Sequence, residues 1–181
     1  MRVLITGHNG YIGSVMVPVM QEAGHEVVGL DTYFYEDCTL GSNGSREAIR
    51  TIRKDIRDVT AEDLKGLDAV IHLAALSNDP LGDFDTGWTY DINQHASASL
   101  ARAAKEAGVS RYLYSSSCSM YGASGDSILT EEAELKPLTA YAISKVKAEE
   151  GIAALADDSF SPVYMRNATA YGVSPRLRAN S

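Results

Sequence analysis

The chain has 181 residues, 45% of them hydrophobic, and 16 Lys and Arg against 24 Asp and Glu, a formal net charge of −8 at pH 7. That length can bury a proper core and favours one domain, and the composition excludes a disordered or fibrous chain. The acidic balance argues against a general nucleic-acid surface.

Arg2 to Thr6 (RVLIT) is a short apolar run fit for a buried parallel strand. Gly7, Gly10 and Gly13 punctuate TGHNGYIG, Tyr11 to Ala23 reads as a helix that Gly24 stops, and Glu26 to Leu30 makes a second strand with Asp31 at its tip. Such a βαβ unit aims backbone N–H groups and the positive end of a helix at an anion, and its glycines let a pyrophosphate approach. An acid roughly 20 residues on can accept hydrogen bonds from an adenosine ribose. No Gly-Lys-Ser/Thr follows, so the turn is not a phosphate loop of the NTPase kind.

Thr32 to Ser45 reads as a loop, Ala48 to Arg53 as a third strand, and Thr60-x-x-Asp63 as a helix start. Asp68 to Leu73 is the fourth strand, and Asn78-Asp79-Pro80 with Gly82 breaks regular structure. Gly87 to Ala107 is a long helix ended by Gly108, Arg111 to Ser115 the fifth strand, Thr139 to Leu155 another helix and Pro162 to Met165 a sixth strand. A polar loop is expected up to Pro137.

Strands alternating with helices imply a doubly wound parallel α/β sheet, a Rossmann fold, with helices on both faces and the ligand crevice at the carboxyl ends of the strands. Asp31, Asp55, Ala74, Ser117 and Thr169 all follow predicted strands, so their chemistry is expected to converge there. After Tyr171-Gly172 no further element follows, which reads as the cofactor-binding domain, residues 1–181, of a longer chain whose carboxyl-terminal substrate part is missing.

Cys38 and Cys118 form no Cys-x-x-Cys, and His8, His25, His72 and His95 show no ligand spacing, so no metal site is expected. Met1 leads directly into a strand without the features of a secretory leader. No apolar stretch approaches the roughly 20 residues of a membrane span. The expectation is a soluble, cytoplasmic protein. Trp88, the one tryptophan, is expected to pack in its helix.

Tyr141-Ala142-Ile143-Ser144-Lys145 places a phenol and an ammonium on one face of a helix. Ser117 follows the fifth strand, where a doubly wound sheet presents side chains to its crevice.

With TGHNGYIG, Asp31, Asp55-Ile56-Arg57-Asp58, HLAA (72–75), Asn93, SSSCSMYG (115–122), YAISK (141–145) and RNATAYG (166–172) in this order, the chain resembles the extended short-chain dehydrogenase/reductase family, whose members mostly act on nucleotide-linked sugars. The resemblance implies Tyr141 as acid/base, Lys145 as the group that lowers its pKa and holds the nicotinamide ribose, and Ser117 as hydrogen-bond donor to the substrate oxygen. It implies cofactor contacts from Gly7, Asn9, Gly10, Tyr11, Ile12, Gly13, Asp31, Asp55, Ile56, Leu73, Ala74, Ala75, Asn93, Tyr141 and Lys145. Similar 4,6-dehydratases carry Asp-Glu after the catalytic Ser/Thr, whereas this chain has Cys118-Ser119. Epimerisation or ketone reduction are therefore the expected reactions, and a non-catalytic NAD-binding sensor or scaffold is the reading of another class. Thr169 stands where many relatives have an Asn. Asp31 would repel a 2′-phosphate and no base occurs between it and Arg46, which favours NAD over NADP. A nucleotide sugar is the expected substrate. Such relatives form homodimers through helices near 87–107 and 139–155, where Ala96, Ala98, Ala103 and Ala104 would allow close approach.

Overall fold

A computed structural model describes residues 1–39, 49–77, 84–123 and 128–176. Six strands, β1 (Arg2–Thr6), β2 (Glu26–Asp31), β3 (Arg50–Arg53), β4 (Ala69–His72), β5 (Arg111–Ser117) and β6 (Ser161–Asn167), form one parallel sheet in the order β3-β2-β1-β4-β5-β6. The order reverses between β1 and β4, and a crevice opens at such a switch point beyond the carboxyl ends of the strands.

Alternation within each strand sorts the core into two halves. Leu4, Val28, Leu30, Val70, Tyr112 and Tyr114 face helices α3 (Ser97–Glu106) and α4 (Ala140–Ala153), meeting Leu100, Ala101, Ala104, Ala148 and Ile152. Val3, Ile5, Val27, Ala69 and Ile71 face α1 (Gly13–Glu22) through Val17, Met16 and Met20. On the α1 side the sheet is less covered towards β6, where Val163 is 48% exposed and Leu113 and Met165 are half-buried.

Several elements differ locally from expectation. The long helix enters through α2 (Thr86–Thr89), capped by the Asp85 carboxylate on the Trp88 N–H, and passes through a wide π turn (Tyr90–Ala96) before α3. Thr60 and Asp63 do form a capping box, but the turn they start is a short 3-10 helix, Ala61–Leu64. The fifth strand runs two residues further, to Ser117, and a 3-10 turn (Cys118–Tyr121) follows it. The break expected at 78–80 and 82, and residues 40–45 of the expected loop, lie outside the described residues.

Two packing expectations are corrected. Trp88 is 59% exposed at the start of its helix rather than packed. Ala96, Ala103 and Ala104 are buried in this chain's own core, and Ala98 lies where a side chain on Gly151 of α4 would meet it at 3.1 Å, so these small residues let α3 and α4 of one chain approach each other. Among the described residues no helix is long and apolar enough to cross a membrane.

Candidate active site

The first βα turn is built by close backbone approach. Gly7 takes φ +69°, and a Cβ there would lie 3.0 Å from the Ala74 nitrogen at the end of β4. A Cβ on Gly13 would lie 2.2 Å from the Gly7 carbonyl, so only glycine lets α1 start against the turn. Asp31 ties this turn to the next loop: one carboxylate oxygen accepts from the Asn9 N–H (3.0 Å), the other from the Tyr33 N–H (2.8 Å). Each oxygen keeps a further lone pair for a ligand hydroxyl.

Around this turn lies a cavity of about 370 Å³. Gly7, Asn9, Gly10, Tyr11, Ile12 and Gly13 form one wall with Asp31 at its rim; Asp55 and Ile56 after β3, and Leu73, Ala74 and Ala75 after β4, form the others. The Asp55 carboxylate accepts from the Arg57 backbone N–H and guanidinium, which holds its pKa below the usual carboxylate range. The wall after β4 is set from beneath. Thr6 Oγ1 accepts the Leu73 and Ala74 N–H groups (both 3.2 Å) and pairs with His72 Nδ1 at 2.7 Å, while His72 Nε2 meets Ser97 Oγ at 2.9 Å. Burial pushes this imidazole down to about 3, so His72 is a neutral structural strut.

Asn93, like Tyr141 and Lys145 of the expected cofactor set, is not among the residues that line this cavity. It is fully buried, and its amide is spent on protein: the oxygen accepts from the Leu76 N–H (2.9 Å), and the nitrogen donates to the Leu76 carbonyl (3.0 Å) and Ser144 Oγ (3.3 Å). Its place in the site is therefore to position the loop after β4 rather than to line the cavity.

The second cluster forms where α4 crosses the end of β5. Thr139 caps α4 by accepting the Ala142 N–H at 3.1 Å, and one turn of helix carries both Tyr141 and Lys145 to the sheet. Lys145 is 3% exposed; its Nζ donates to the Ser115 carbonyl (2.8 Å) and lies 4.7 Å from the Tyr114 ring centroid and 5.7 Å from that of Tyr141. Burial lowers its pKa to about 7, and the Glu149 carboxylate works against that shift. Ser117, half-buried at the end of β5, accepts the Ser119 N–H (3.2 Å) and shares a hydrogen bond with the Ser119 hydroxyl (2.9 Å). Cys118, Tyr121, Thr130, Glu131 and Arg166 line a second cavity of about 370 Å³ beyond it. Thr169 is exposed just past β6.

Two groups near the site carry no local motif. Arg166 of β6 grips Glu149 of α4 with two N–H groups (3.2 and 2.8 Å) and donates to Tyr121 Oη (2.8 Å), fixing α4 to the end of the sheet. Arg176 is 7% exposed and lines the glycine-turn cavity, although it lies far from that turn in sequence. Counting bases near Asp31 in sequence, which favours NAD over NADP, therefore misses groups that folding brings to the cavity, Lys54 among them.

Residues 3–180 match the model of the NAD dependent epimerase/dehydratase family. The chain is 32% identical to a UDP-glucose 4-epimerase of Corynebacterium glutamicum over 95% of its own length and 53% of that protein's. It is 31% identical to a dTDP-D-glucose 4,6-dehydratase of Mus musculus over 82% of its length and 44% of that protein's. Among solved structures, MoeE5 in complex with UDP-glucuronic acid and NAD superposes with a TM-score of 0.85 at 32% identity, covering 100% of this chain and 58% of that one. A UDP-N-acetylglucosamine 4-epimerase from Methanobrevibacter ruminantium does so with 0.86 at 28% identity, covering 99% and 58%. The chain thus spans about half the length of the relatives it matches. From the glycine turn, the acid at the tip of β2 and the match over nearly all of its residues, this chain belongs to the NAD dependent epimerase/dehydratase family.

Proposed function

We propose that this chain is the cofactor-binding part of a cytoplasmic, NAD-dependent epimerase of nucleotide sugars, working by reversible oxidation of a sugar hydroxyl, at C4. The observation that carries the reading is the Lys145 ammonium, buried on the Ser115 carbonyl and 5.7 Å from the Tyr141 ring. A cation fixed there favours the phenolate, so Tyr141 takes the hydroxyl proton and later returns it. Ser117, at the end of the same strand that anchors Lys145, donates to the sugar oxygen. A bound dinucleotide would supply reversible hydride transfer at the sugar carbon. Gly7 to Gly13 with Asp31 would hold its pyrophosphate and adenosine ribose, and Lys145 its nicotinamide ribose. Cys118 and Ser119 follow Ser117, so the chain lacks a carboxylate pair at that point for a second proton removal, which favours epimerisation over dehydration. The reading includes a homodimer through the outer faces of the helices near 87–107 and 139–155, for which light scattering of the full-length protein is the check.

The test is conversion of UDP-sugars by the full-length protein with catalytic NAD. Epimer formation without net NADH change supports the reading. Stoichiometric NADH consumption when a keto-sugar nucleotide and NADH are supplied instead, with no epimer formed from the UDP-sugars, replaces it with a keto-sugar reductase, and tight NAD binding with no turnover on any sugar nucleotide replaces it with a binding protein.

A further inference from the structure

Arg176 is a buried cation paired with no carboxylate among the described residues. Among the described residues every hydrogen-bond acceptor around its guanidinium is a neutral oxygen: Asn9 Oδ1, the Tyr35 and Glu36 carbonyls and Thr39 Oγ1. Its Nε is buried without a partner. A buried charge without a countercharge is costly, and neutral dipoles offset only part of that cost. The other charged groups lining the cavity differ. Lys54 is paired with Asp63 at 2.7 Å, Asp55 is paired with Arg57, and Asp31 is held by two backbone N–H groups.

The chain around Arg176 is fastened to the glycine turn at several points. The Tyr11 hydroxyl donates to the Gly172 carbonyl (2.5 Å), and the Ser174 hydroxyl donates to the Tyr11 carbonyl (2.8 Å). Ser174 Oγ also meets Ser14 Oγ at 3.1 Å, and Arg176 forms an antiparallel bridge with Thr39. The segment from Gly172 to Arg176 thus lies across the turn, and its arginine reaches Asn9, whose own N–H is bound to Asp31.

We propose that Arg176 is a cofactor-binding residue that supplies the countercharge to the pyrophosphate of the dinucleotide, delivered by the strap after β6. The glycine turn contributes only neutral N–H groups to a dianion, and the strap adds the full positive charge. The inference deepens the dinucleotide reading of the cavity and rests on it, but not on the choice between epimerisation and reduction.

The test is calorimetric binding to the full-length protein of NAD and ADP-ribose, which carry the pyrophosphate, and of adenosine, which does not. Arg176→Gln removes the charge and keeps an amide, and Arg176→Lys keeps the charge. The proposal expects Arg176→Gln to weaken NAD and ADP-ribose about 10- to 100-fold, adenosine to stay within about two-fold, and Arg176→Lys to recover part of the loss. Unchanged NAD affinity, or adenosine weakened in step with NAD as a merely structural role would give, overturns it. Failure of the unaltered protein to bind NAD or ADP-ribose would overturn the dinucleotide reading itself.

Discussion

The Asn93 amide reaches Ser144 Oγ at 3.3 Å, and that hydroxyl donates to the Tyr141 carbonyl at 2.7 Å. One buried side chain in the π turn therefore holds the helix that carries Tyr141 and Lys145, and the same amide clasps both backbone groups of Leu76 on the wall of the glycine-turn cavity. Asn93→Ala leaves both half-buried Leu76 backbone groups without this side-chain partner. It should cost about 2 kcal/mol in urea unfolding and weaken NAD binding, because the wall after β4 loses its anchor. NAD affinity unchanged in a destabilised variant would limit Asn93 to a core role.

Lys145 makes stability depend on pH in a definite direction. Burial lowers its pKa to about 7, so between that value and the ordinary lysine value the unfolded chain binds more protons than the folded one. The contribution of Lys145 to stability therefore rises with pH across this window and is at its worst below it. Cofactor-free Lys145→Met should melt several degrees above the unaltered protein at pH 7, with the gain shrinking towards pH 10. Melting curves at pH 6, 7.5 and 9 check this, and a gain that grew with pH would contradict it.

Glu149 and Arg166 form a mostly buried, two-pronged ion pair between α4 and β6, with side chains 10% and 21% exposed. Removing one partner strands the other charge. Glu149→Gln should destabilise by about 3 kcal/mol, and since Arg166 also holds Tyr121 beside the second cavity, a rise in the apparent sugar-nucleotide KM should accompany it. Denaturant unfolding and steady-state kinetics on the full-length protein read both effects.

On the proposed mechanism Tyr141→Phe removes the proton carrier while keeping the ring beside Lys145. The loss should fall on kcat, by about 10²-fold or more, with NAD affinity nearly unchanged. A variant that turned over at the original rate would remove Tyr141 from the reaction.

The sheet was readable because each buried strand is a short apolar run between turn residues, and Gly7, Gly13 and Asp31 mark the cavity by needs that few other residues meet. What local reading missed is what comes from afar. The π turn arises within a sequence that reads as one regular helix, and it turns Asn93 inward onto Leu76. Arg176 enters the cavity across the whole fold, so a search for bases near Asp31 in sequence could not find it. Small residues on α3 read as an interface between chains and instead serve the contact between α3 and α4, because periodicity shows an apolar or small face without showing what covers it.

The most direct measurement follows the hydrogen at C4. The full-length protein is given a UDP-sugar deuterated at C4, and the epimer is analysed by mass spectrometry and NMR. Hydride removal and return at one carbon, with the cofactor held throughout, predicts an epimer that keeps its deuterium at C4 and no accumulation of free NADH. Epimer carrying solvent hydrogen at C4 would contradict the account, since the C4 hydrogen would then have left as a proton to water rather than as a hydride to a bound nicotinamide.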